Sequence, residues 1–211
     1  MSNMKDELNK QATRIQENGK MIEQLNGFYE NRQPELFNAA LINYIAHCER
    51  LAINARNYPA LFGHRDAVQI VEESLADAHE IIIRTTSENW INIQMPSLCP
   101  GAATKYKKLF LYSPLLNALN RFAEDYTGQR MGESIIAIRH IYDRKRSIGL
   151  MRDQDNVDVK TVVDSIKVAF LKDDNGFLCS HYYDAKFGEK NMTDIYVLPR
   201  SDFGDWWEKH C

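Results

Sequence analysis

At 211 residues the chain is longer than one minimal domain and short of two full ones. Hydrophobic residues make up 44% and charged residues 26%, a soluble globular balance, and no apolar run approaches the roughly 18 residues a membrane span needs. The net charge of −3 argues mildly against nucleic acid, but it is unevenly spread: residues 1–87 hold 9 Lys/Arg against 12 Asp/Glu, and residues 88–211 hold 17 of each.

The start, Met1 to Glu7, carries early acids and no apolar core, unlike a secretory leader. Cys48, Cys99, Cys179 and Cys211 form no C-x-x-C pair. Reduced thiols and a cytoplasmic location are the expectation.

In chain order, residues 4–29 lack proline, and Leu8, Ile15, Ile22 and Tyr29 recur every seven residues, with Gln11 and Asn18 at the companion positions. A long amphipathic helix is predicted there, its face supported by Leu25, packing on the next helix in preference to forming a free coiled coil. Pro34 suits the first turn of a second helix, whose broad apolar face runs from Leu36 to Ala55 and ends before Asn57-Tyr58-Pro59. A third helix is expected from His64 to Ala78, with Val68, Val71 and Leu75 inward. Residues 1–78 thus read as an α-helical region for packing or interaction, with no chemistry of its own.

Beyond Glu80 the period changes. Residues 80–84 and 90–95 read as a β-hairpin about a turn at Thr85–Asn89, followed by a Pro96–Gly101 loop. A helix over 103–126, bent at Pro114, precedes a strong strand at Ser134–Tyr142. A basic run extends from Arg139-His140 through Arg144-Lys145-Arg146 to Arg152, interrupted by one acid, Asp143. It reads equally as a phosphate-binding loop or as a solvated one. A helix over 156–171 and short strands at 177–183 and 194–198 complete a domain over 79–211.

The informative segment is Arg152-Asp153-Gln154-Asp155-Asn156, then a helix, then Asp173-Asp174. Acids one residue apart at a strand-to-helix junction can point into one cleft, and a third can return to it at the far end of the helix. Three convergent carboxylates repel one another unless a cation sits between them. Taken singly, Asp155 also reads as a helix cap, and Asp173-Asp174-Asn175-Gly176 as a turn. His140 and His181 are expected to be structural, Tyr182 and Tyr183 half-buried, and Trp206-Trp207 a docking anchor for the tail, with base stacking as the weaker alternative.

This order of elements, with its basic loop, R-D-x-D-N run and later D-D pair, resembles the RusA family of Holliday junction resolvases over about residues 88–199. The resemblance implies an α+β fold, a small mixed sheet packed with two main helices, here preceded by the α-helical region. It also implies a homodimeric endonuclease acting on branched DNA. Asp153, Asp155 and Asp174 would hold Mg²⁺ or Mn²⁺, Arg144, Lys145, Arg146 and Arg152 would bind DNA, and Lys160 would assist catalysis. The family's helix lysine falls at Val159 here, and Lys160 lies one place on. Ser147 to Leu150 lengthen the loop. The whole chain is also similar to an uncharacterised family of mobile-element proteins that share Ile138 to Arg144 and His181 to Tyr183. The alternative expectation is a non-catalytic relative that binds a protein partner, through residues 1–78 or the acidic cleft, or DNA.

Overall fold

The computed structural model describes residues 4–59, 63, 66–96, 112–128, 130–145, 159–173 and 175–211. The chain divides into two compact units, Met1–Val71 and Glu72–Cys211. The boundary falls seven residues before the expected one, inside a helix, because Ala76 is fully buried in the second unit's core.

The first unit is built on α1 (Met4–Glu30) and α2 (Pro34–Arg56), joined by a tight turn with Arg32 in the left-handed region and Pro34 in the first turn of α2. The two form an antiparallel hairpin. Its seam is polar: Gln11 Nε2 donates to the Leu51 carbonyl, the His47 ring meets the Arg14 carbonyl at 2.9 Å, and the Cys48 thiol donates to Asn18 Oδ1. Leu25 is the one buried residue of α1. This corrects the expectation that Leu8, Ile15, Ile22 and Tyr29 pack on α2. All four are exposed; only Tyr29 among them keeps a ring contact with α2, 6.0 Å from Phe37, and the neighbouring stripe through Gln11, Asn18 and Leu25 makes the seam.

The second unit takes up the end of α3 (Ala67–Ala78) and then runs β1 (Ile82–Thr85), β2 (Ile91–Pro96), α4 (Ser113–Asp125), β3 (Ser134–Asp143), α5 (Val159–Phe170), β4 (Cys179–Gly188), β5 (Met192–Pro199), a 3₁₀ turn (Arg200–Asp202) and α6 (Phe203–His210). The strands form one mixed sheet in the order β1-β2-β5-β3-β4, in which only β3 and β4 are parallel. Pro114 is the second residue of α4, and the expected bend there turns on the segment before it. The expected segment 103–111 lies outside the described residues. β4 runs five residues past its expected end, since all ten residues of β3 find a partner on it.

Alternation along the strands makes two faces. On one, Ile91, Ile93, Met95, Ile136, Ile138, Ile195 and Val197 meet Leu115, Ala118 and Leu119 of α4 and Val162, Val163, Ile166 and Phe170 of α5. Phe122 and Tyr126 pack edge-on against Phe170. On the other face, α6 lays Trp206 over Ala137, Tyr196 and Leu198, with Tyr182 and Phe203 around it. Trp206 is therefore the anchor the sequence suggests. The same contacts make Tyr182 partly buried, while Tyr183 packs on the helix side.

Candidate nucleic-acid interface

β5 and β4 flank β3, so the link between them must cross the end of β3. Glu189 to Asn191 bridge two strand spacings, about 9.6 Å. The crossing is tied down on both sides. Asp143 N–H donates to Asn191 Oδ1 at 3.0 Å, and Arg144 N–H donates to the Gly188 carbonyl at 3.1 Å. Glycine is required at 188, because a Cβ there would collide with the Ile141 side chain. Asp143 Oδ1 then accepts the Lys145 N–H at 2.9 Å, forming a turn that presents Arg144 and Lys145 beyond the carboxyl end of β3. A basic pair thus sits where two parallel strands end, the usual place for ligands on parallel sheets.

Other members of the expected site are distributed differently. Lys160, in the first turn of α5, is 85% exposed and reaches both carboxylate oxygens of Asp164, at 3.1 and 3.0 Å. Asp173 lies at the opposite end of the sheet. Its neighbours Leu171 and Lys172 pair with Met131, just before β3 begins. Its carboxylate accepts from Asn175 Nδ2 at 2.7 Å and faces Lys167 at 3.5 Å. The ten residues of β3 separate this shelf from Arg144 and Lys145 by roughly 30 Å at 3.3 Å per residue. Asp153, Asp155, Asp174, Arg146 and Arg152 lie outside the described residues.

No three His, Cys, Asp or Glu side chains among the described residues stand close enough to share a metal ion. Near the carboxyl half of β3, Asp184 is engaged by Arg139, Asp194 by Asn92 and Asp143 by the Lys145 N–H.

Arg139 and His140 do not belong to the basic surface. Arg139 is 1% exposed, flanked in register by Asp194 of β5 and Asp184 of β4. Its Nε donates to Asp184 Oδ2 at 2.7 Å, its Nη2 to Cys211 Sγ at 3.0 Å, and its guanidinium lies 5.1 Å over the Trp206 ring. On the same face Asn92 Nδ2 donates to Asp194 Oδ1 at 2.6 Å, and Arg84 Nε donates to Asn92 Oδ1 at 3.0 Å. A polar ladder, Arg84, Asn92, Asp194, Arg139, Asp184, therefore crosses all five strands. Burial, with Asp194 beside it, pushes the Tyr196 hydroxyl up to about 12. Burial also pushes the His140 imidazole below its ordinary range; Thr193 Oγ1 is 3.4 Å from its Nδ1, and its Nε2 is buried with no partner among the described residues.

The ladder escapes sequence reading except for one signal, a charged residue, Arg139, within the apolar run of β3. His181 is exposed on β4, edge-on to Tyr183 at 6.3 Å.

A model of a family of unknown function, DUF6100, matches residues 1–211. No curated protein and no solved structure matches the chain.

Proposed function

We propose that this chain, a member of the DUF6100 family, is a metal-dependent endonuclease that binds branched DNA at the carboxyl end of β3. The observation that supports this reading best is the β3-α5-β4 crossover. It joins two parallel strands, its first strand ends in the Arg144-Lys145 turn, and the Arg152-Asp153-Gln154-Asp155-Asn156 run leads into its helix. Arg144 and Lys145, with Arg146 and Arg152, hold phosphates of the duplex arms. Lys160, paired with Asp164 only at the solvent surface, is free to exchange that partner for a phosphate oxygen. Asp153, Asp155 and Asp174 would hold Mg²⁺ or Mn²⁺, which when bound would supply an activated water and charge neutralisation at the scissile phosphate.

The test is cleavage. Purified protein with Mg²⁺ or Mn²⁺ nicks four-way junctions or flapped duplexes, and chelation abolishes it. Asp174→Asn slows cutting at least about a hundredfold while leaving DNA binding intact. Replacing Arg144, Lys145 and Arg146 by Ala weakens binding and lowers its salt slope by up to about three.

A second reading, a non-catalytic relative, draws on a specific observation. Asp173 and Asn175, which bracket Asp174, lie at the end of the sheet away from Arg144 and Lys145. DNA binding without cleavage on any branched, flapped or single-stranded substrate selects that reading. DNA affinity untouched by the triple Ala change rejects both nucleic-acid readings in favour of a protein partner.

A further inference from the structure

We propose that the outer face of α1 is the contact surface for a second copy of this chain, with two α1 helices lying antiparallel. The inference is independent of the nuclease reading. The hairpin is inverted relative to what water favours, since its internal seam carries Gln11 and Asn18 while an apolar stripe faces out. Leu8, Ile15, Ile22 and Tyr29 are 47%, 59%, 42% and 74% exposed, the Tyr29 ring also lying 6.0 Å from Phe37 of α2, and Met4, on the neighbouring line, adds a fifth exposed apolar side chain at the helix start.

The spacing identifies the kind of occupant. A strict seven-residue repeat drifts by about 20° per heptad around a straight helix. It stays on one line only against another helix that supercoils with it. A strand, a flat sheet or a lipid surface has no use for that register. The occupant is therefore a helix with the same repeat over four heptads, and α1 of a second copy has it.

Three further features fit that choice. Equal steps let an antiparallel copy match layer for layer, Ile15 against Ile22 and Leu8 against Tyr29. Ala12 and Gly19 flank the stripe with minimal bulk, and nothing lies within 4 Å of a Cβ built on Gly19, so backbones can approach closely. Charge complements in the same orientation: residues 4–16 carry a net +1 and residues 17–30 a net −2. Antiparallel pairing sets unlike halves together, whereas parallel pairing sets like against like. The five side chains offer on the order of 100 Å² each, so two copies cover about 1,000 Å², the size at which specific interfaces begin.

Sedimentation equilibrium of the full chain, without DNA or metal, tests this. Between about 1 and about 100 µM the wild type forms a species of twice the 24.5 kDa chain mass. Ile15→Lys with Ile22→Lys weakens association at least about a hundredfold, while Ile15→Leu with Ile22→Leu preserves it. Both positions are exposed and lie beside the seam, so circular dichroism of the Lys variant reports whether the hairpin survives. Glu23→Lys with Glu30→Lys reverses the second half from −2 to +2 and weakens an antiparallel dimer at low salt, but not a parallel one. A wild type that is monomeric throughout that range overturns the proposal, as does a dimer that survives the Lys pair. Neither result bears on cleavage.

Discussion

Arg139 and Asp184 stand opposite each other on the parallel strands β3 and β4, and the guanidinium Nε donates to the carboxylate Oδ2 at 2.7 Å. The two ends of this pair differ. Arg139 is buried, with its Nη1 lacking a partner among the described residues, whereas the Asp184 side chain is 26% exposed. Removing the acid strands a buried cation, but removing the arginine leaves a carboxylate that water can reach.

The expected order follows from that asymmetry. Asp184→Ala costs about 3 kcal/mol in urea unfolding, and Arg139→Met, which keeps the volume, costs less. The combined change Arg139→Met with Asp184→Leu costs less than the two single losses added together. Equal losses for the two single variants would mean that Asp194, the other register neighbour, already neutralises Arg139.

Trp206 and Trp207 are adjacent in sequence and opposite in role. Trp206 is fully buried between Tyr182, Tyr196, Phe203 and His210, and Trp207 is 46% exposed. Trp206→Ala is expected to cost about 3–5 kcal/mol, because α6 leaves a cavity over the sheet it cannot close. Trp207→Ala should shift the unfolding midpoint far less. A larger effect at 207 than at 206 would refute the packing described for α6.

Glu80 closes α3. Ile81 N–H donates to the Ala76 carbonyl at 3.0 Å and Glu80 N–H to the Asp77 carbonyl at 2.9 Å, with Glu80 at φ 52°, a left-handed cap position that favours glycine. Its carboxylate pairs with Lys190 at 2.9 Å, but both groups are well exposed, so the pair adds little. Glu80→Gly should therefore raise the thermal midpoint by a few degrees. A lower midpoint would show that the Lys190 contact outweighs the backbone strain.

Two groups give opposite ends of the acid range to follow. Hydrogen bonds from Lys209 and then Thr86 pull the Glu88 carboxyl down to about 2 from its ordinary 4.5. Its folded value lies below its unfolded one, so its contribution is complete above pH 4.5 and disappears as pH falls from 4.5 to about 2. Burial lowers His140 from 6.5, so the unfolded chain binds that proton first and stability declines as pH drops below 6.5. Glu88→Gln should flatten the stability profile in the lower window alone, and His140→Gln in the upper window alone. A His140→Gln profile that still falls below pH 6.5 like the wild type would exclude His140 as the source.

Local chemistry settled much of this protein. The period of seven over residues 4–29, Pro34, the turn at Thr85–Asn89 and the apolar run at 134–142 announced α1, α2, the β1–β2 hairpin and β3, since each depends on near neighbours in the chain. The α+β class and the helical first region followed from the change of period after Glu80. Only the tertiary structure decided which stripe of α1 meets α2. Leu8, Ile15 and Ile22 and the companion positions Gln11, Asn18 and Leu25 lie on adjoining faces, and the polar one made the seam, with Leu51 and Cys48 of α2 as partners for Gln11 and Asn18. Arg139 is the sharper case. In the chain it reads as the start of a basic loop, yet its carboxylate stands 45 residues away on a parallel strand. Parallel pairing is set by the crossover through α5, a long-range event that no local pattern encodes, and it is what turned a surface cation into the centre of the sheet's polar ladder.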